Sequence, residues 1–149
     1  MLGLTNKYIE NLMLHVDVSF KGVFSSDNIP FFSDFNISLL CNFSKSNEKG
    51  THYVSIYILR NKIIYFDPLG FECVVEEICN YLKMYNKIII QSTVAIQHPL
   101  SFHCGYFCIG FLLAIHSKLT LLQYQSMFDH KDLLFNDEIV CNLILQFMK

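Results

Sequence analysis

The sequence predicts an α+β domain, with a mixed central β-sheet packed against a buried central helix and flanked by further helices. Three observations support this. Residues 52–66 read as two strands joined by a short polar break. Residues 104–119 are apolar around the whole helical circumference. Helical patterns also occur at 5–16, 72–85 and 137–148. The chain of 149 residues is expected to form one domain, 1–149.

In chain order, Thr5 to Val16 predicts a short amphipathic helix, with Thr5 as cap and Tyr8, Ile9, Leu12 and Met13 at helical spacing. Phe20 to Phe35 reads as an irregular aromatic segment, because Gly22, Ser25-Ser26-Asp27-Asn28 and Pro30 interrupt any period. Asn36 to Phe43 is strand-like, and polar Ser44 to Gly50 predicts a turn. In His52 to Leu59, Val54, Ile56 and Ile58 alternate with Tyr53, Ser55 and Tyr57. Arg60-Asn61 supplies a two-residue turn, and Lys62 to Phe66 returns as the second strand of a hairpin. Pro68 and Gly70 end that strand. Glu72 to Tyr85 reads as a surface helix with Val74, Val75, Ile78, Tyr81, Leu82 and Tyr85 inward. Lys87 to Gln97 is a β-branched strand, Cys104 to Leu119 the buried helix, and Asp137 to Met148 the last helix.

The composition is 52% hydrophobic and 16% charged, with fourteen Phe, eight Tyr and no Trp, so the expected core is large and aromatic. A net charge of −2 gives no general attraction to nucleic acid or anionic membrane. The longest apolar stretch, Tyr106 to Ile115, is about half the length a membrane span needs. Residues Met1 to Val16 mix polar and apolar types, so no secretory signal is expected. The six cysteines then read as reduced thiols of a cytosolic or nuclear protein.

Cys104 stands where a partly polar loop, Gln97-His98-Pro99-Leu100-Ser101-Phe102-His103, enters the apolar helix. Unpaired N–H groups and the positive dipole end at a helix N-terminus favour thiolate over thiol. Gly105 would let a substrate carbonyl approach the backbone. Acyl transfer by cysteine also needs a base, a group that orients the base, and oxyanion donors. His52 opens the first hairpin strand and Asp67 follows the second, so the hairpin makes them neighbours, and the carboxylate could accept the imidazole Nδ1–H. Gln97 and the Cys104 N–H could serve as oxyanion donors. Each residue also has a structural reading: Cys104 as a buried cysteine, His52 as one of six ordinary histidines, Asp67 as Asp-Pro turn chemistry, and Gln97 as a polar strand end. The order His, Asp, Gln, Cys-Gly favours chemistry.

Gly50-Thr51-His52-Tyr53, Tyr65-Phe66-Asp67-Pro68-Leu69-Gly70-Phe71 and Gln97 through Cys104-Gly105-Tyr106-Phe107-Cys108 together resemble the adenovirus-type cysteine endopeptidases, adenain. Their clan also holds the proteases of SUMO and related modifiers. The resemblance spans roughly residues 20 to 135, with Phe20-Lys21-Gly22-Val23-Phe24 similar to an early loop and Met127-Phe128-Asp129-His130 to a late segment. It implies an adenain-like fold with His52 as base, Asp67 orienting it, Cys104 as nucleophile and Gln97 in the oxyanion hole. Implied substrates are polypeptides, viral structural precursors in particular, in the host nucleus or cytoplasm and in the virion. The acidic position holds Asp67 where adenain has Glu. No cysteine near Asn86-Lys87 matches the one through which adenain links its activating viral peptide, and the acidic balance argues against a DNA activator, so no cofactor is expected.

Two alternatives share these residues: an isopeptidase acting on ubiquitin-like modifiers, and a non-catalytic virion protein retaining the fold. His98, His103, Cys104 and Cys108 include metal-ligand types but have no second Cys/His pair, so no metal is expected. Cys108, one turn beyond Cys104, reads as a packed neighbour beneath it.

Overall fold

The computed structural model describes residues 4–17 and 19–148. Its elements in chain order are α1 (Asn6–Val16), β1 (Phe20–Ser25), β2 (Ile37–Asn42), β3 (Tyr53–Ile58), β4 (Lys62–Phe66), α2 (Glu76–Lys83), β5 (Ile88–Gln91), α3 (Cys104–His116), α4 (Leu121–Gln125) and α5 (Asn136–Phe147). The strands form one mixed sheet in the order β1-β2-β3-β4-β5. The two outer pairs are parallel and the inner pairs antiparallel.

The period-2 pattern of the strands sorts their side chains onto two covered faces. Leu40, Tyr57, Ile64 and Phe66 point toward α3, where they meet Phe107, Phe111 and Leu112. Phe66 stacks on Phe111 with ring centroids 4.7 Å apart. Leu39, Cys41, Val54, Ile56, Ile63 and Tyr65 point the other way and meet Ile78 and Leu82 of α2. Helix α3 is apolar all round because it has packing partners on every side: β3 beneath it, and α1, α4 and α5 around it. Each fully buried large apolar side chain here contributes about 1.5–3 kcal/mol of transfer free energy.

The β3–β4 hairpin closes as its pattern predicts, with the Leu59 N–H donating to the Lys62 carbonyl (2.9 Å) around Arg60-Asn61. Other elements differ from the sequence reading. The segment Phe20 to Phe35 contains an edge strand, β1, that its irregularity concealed. Gly22 at φ 136° breaks the pairing with β2 between Phe20 and Val23, so no clean alternation shows. The rest of that segment is pinned to α2 and the turn after it: Phe31 stacks on Tyr85, just past the helix (4.6 Å), and the Tyr81 hydroxyl of α2 donates to the Pro30 carbonyl (2.9 Å). Helix α2 starts at Glu76 rather than Glu72, leaving Val74 exposed. Strand β5 stops at Gln91 rather than Gln97, because its neighbour β4 has ended at Phe66 and residues 92–97 have no strand beside them. Helix α3 ends at His116 rather than Leu119. Helix α4 was not expected, although Thr120 and Gln123 form a reciprocal capping box that begins it.

Candidate active site

The hairpin register decides where His52 and Asp67 fall. Ser55 pairs with Phe66 and Ile56 with Tyr65, so one further step sets Asp67 opposite Val54. His52 lies two residues before Val54, on the same face, which is diagonal cross-strand distance. The two side chains meet there: His52 Nε2–H donates to Asp67 Oδ1 at 2.8 Å. The nitrogen used is Nε2, not the Nδ1 expected from sequence. Asp67 is buried (1% exposed), and its Oδ1 also accepts the Leu69 N–H at 2.9 Å. The Phe43 and His52 rings meet in a T-shaped arrangement with centroids 5.0 Å apart. Asn42, at the end of β2, accepts the Thr51 N–H (3.2 Å) and so steadies the residue before His52.

Cys104 is the first residue of α3, and its side chain adjoins the same imidazole. Burial works against a charged ring at His52, but the hydrogen bonds and charges of Asp67 and Cys104 outweigh it and raise its pKa from 6.5 to about 9. Cys108, one turn on, is buried and donates to the Tyr53 carbonyl (3.3 Å), and burial drives its thiol well above the ordinary range. It is a packed neighbour. Gly105 does not line the cleft, and a Cβ there would make ordinary packing contact with Leu4 and Ile9 at 3.4–3.5 Å.

Gln97 is buried (3% exposed), with Nε2 donating to the Ser101 carbonyl at 3.0 Å. The amide keeps a second hydrogen on Nε2. Its Oε1 is buried without a partner among the described residues. The turn after β4 fixes where Gln97 begins, since the Pro68 carbonyl accepts both the Ile96 N–H (2.9 Å) and the Gln97 N–H (3.0 Å). Gly70 makes this close approach possible. Its φ is +80°, and a Cβ would fall 2.5 Å from the Ala95 nitrogen. His52, Gln97 and Cys104 open together on a cleft of about 620 Å³, also lined by Lys49, Thr51 and Phe102.

Three residues that sequence reasoning did not single out hold the loop before Cys104. The Ser101 hydroxyl donates to both carboxylate oxygens of Asp137 (2.8 and 3.0 Å) and accepts the His103 N–H (3.0 Å). His103 Nδ1 lies 3.4 Å from Asp137 Oδ2. Fully buried Asn136 donates to the Ile96 carbonyl (2.8 Å) and to the Asp129 carbonyl (2.7 Å). Asp137 was legible only as an acidic residue in the first turn of a helix, and no local pattern aims it at a distant loop. His98 accepts its own loop's Leu100 N–H (3.1 Å), so it and His103 lie outside the cleft lining. Among the described residues no group of three or more His, Cys, Asp or Glu is placed to hold a metal ion. No described helix is long and apolar enough to cross a membrane.

No family model matches the sequence, and no curated protein matches it. Among solved structures it is similar to the selenomethionine form of ASFV pS273R protease, at 16% identity and a TM-score of 0.46. That match covers 72% of this chain and 43% of the other, so the chain spans less than half of that protease's length.

Proposed function

We propose that the protein is a thiol endopeptidase of the adenain type that cleaves polypeptides, with viral structural precursors as its substrates in the infected cell and virion. The observation that carries this reading is the His52 ring, held on Nε2 by buried Asp67 with Cys104 beside it at the head of α3. In the proposed cycle the Cys104 sulfur attacks the scissile carbonyl carbon, and the carbonyl oxygen takes the negative charge. The free hydrogen of Gln97 Nε2 and the Cys104 N–H, which has no intrahelical acceptor at that position, donate to that oxygen. Imidazolium His52 gives its proton to the leaving amine as the C–N bond breaks. Neutral His52 then takes a proton from water, whose oxygen attacks the thioester; the C–S bond breaks, the acid is released, and the Cys104 thiolate is restored beside imidazolium His52. Ser101 and Asp137 act through Gln97 as positioning residues.

The test pairs a fluorogenic peptide series with a fluorogenic substrate built on a folded ubiquitin-like modifier. Peptide cleavage lost in Cys104→Ala and in His52→Ala, with melting temperatures retained, supports the proposal. Cleavage of the modifier substrate alone would replace it with an isopeptidase. Six equally slow thiols toward iodoacetamide, with no cleavage, would leave a non-catalytic protein.

A further inference from the structure

Two half-buried cysteines outside the cleft have their sulfurs 2.9 Å apart. Cys73 lies in the extended segment between the Asp67 turn and α2, and Cys79 is on the second turn of α2. Both backbones are anchored. The Cys73 N–H donates to Gln91 Oε1 (2.7 Å), and the Cys79 N–H donates to the Val75 carbonyl (2.9 Å). The Cys79 thiol also lies 3.3 Å from the Cys73 carbonyl, so it already points at the other residue. A disulfide has a sulfur–sulfur bond of about 2 Å, so closing this pair needs a movement under about 1 Å.

We propose that Cys73 and Cys79 are an oxidation site of the folded protein, closed to an intramolecular disulfide by low-molecular-weight disulfides such as oxidised glutathione. The Cys79 thiolate attacks one sulfur of the small disulfide, whose S–S bond breaks and releases one thiolate. The Cys73 thiol gives its proton to solvent and attacks the Cys79 sulfur of the mixed disulfide, releasing the second thiolate. Two protein thiols are oxidised and one small disulfide is reduced to two thiols. Burial pushes the Cys73 thiol up to about 12, so it takes the second step, in which the sulfur it attacks is already held beside it. The new bond fastens the segment after the Asp67 turn to α2. Neither sulfur lines the cleft, and closure is read from the disulfide itself rather than from peptide cleavage.

The folded full chain is incubated with oxidised glutathione, capped with iodoacetamide and digested with trypsin. Residues 63–83 then form one peptide holding both cysteines. The expected peptide is uncapped and roughly 2 Da lighter than its reduced form. Cleavage after Glu76 or Glu77 should leave two fragments joined until a reductant is added. Closure should be ~10-fold slower in guanidinium, where the fold no longer presents the sulfurs to each other. The oxidised chain should melt ~5 °C higher than the reduced chain, a gain absent in Cys79→Ser. Two capped cysteines, stable glutathione adducts at either residue, or equal closure rates in folded and unfolded chains would each overturn the proposal.

Discussion

Replacing Asp67 with Asn keeps the size of the side chain and its acceptor toward the Leu69 N–H, but removes the charge that faces the His52 ring. The wild-type ring is 13% exposed and holds its proton up to about pH 9, against 6.5 for an ordinary imidazole. That difference of about 2.5 corresponds to ~3 kcal/mol favouring imidazolium, shared between Asp67 and Cys104 and net of the opposing burial. Without the carboxylate, burial opposes only what Cys104 supplies, so the ring of Asp67→Asn should titrate near 6.5 or below. The assay is a ring-proton NMR titration of His52 in both proteins. Linkage gives a second readout. The folded-state pKa lies above the unfolded one, so this contribution to stability is complete below pH 6.5 and lost as pH rises through about 9. Across that window the wild type should lose up to ~3 kcal/mol that the variant never had. A variant ring still titrating near 9 would show that Asp67 does not hold the imidazole, and the site as described would fail.

Gly70→Ala forces a Cβ to within 2.5 Å of the Ala95 nitrogen at a φ of +80°, and unfolding in urea should show a loss of ~2 kcal/mol or more. Phe66→Ala removes a fully buried ring stacked on Phe111, and calorimetry should record a loss of ~3–5 kcal/mol and a melting temperature lower by on the order of 10 °C. Thr120→Ala removes the capping box of α4 and should cost about 1 kcal/mol by the same urea measurement. Asp137→Ala releases the Ser101 hydroxyl and, through the Ser101 carbonyl, the Gln97 amide. Peptide turnover should fall ~10-fold, in kcat more than KM, while the His52 titration stays in place.

The juxtaposition of His52 and Asp67 was legible because a strand has a period of two and the Arg60-Asn61 turn sets the register. From those two facts the same-face diagonal follows without any tertiary information. The head of α3 was legible because a helix apolar on every side has to be central. What escaped depended on distant partners. Strand β1 is recognisable once β2 lies beside it, since Gly22 shifts the register that would have shown alternation. The end of β5 is set by where β4 stops, which residues 92–97 do not encode. Asp137 reaches Ser101 across 36 positions, and neither residue is unusual where it stands.

The turn at Asp67 and the loop before Cys104 behave as one unit. The Asp67 carboxylate orients His52, while the next residue's carbonyl receives the backbone N–H groups of Ile96 and Gln97. A displacement of this turn therefore moves the ring and the amide together. Asn136 pins the carbonyl of Ile96 from the opposite side, so the segment is gripped on both of its backbone polar groups at that residue. This coupling has a consequence for double variants. Substitutions at Gly70 and Asn136 disturb one shared segment, so their effects on His52 and Gln97 should be non-additive, with an interaction on the order of 1 kcal/mol. Simple addition within experimental error would mean that the turn and the loop are held independently, and that the amide owes its place to Ser101 and Asp137 alone.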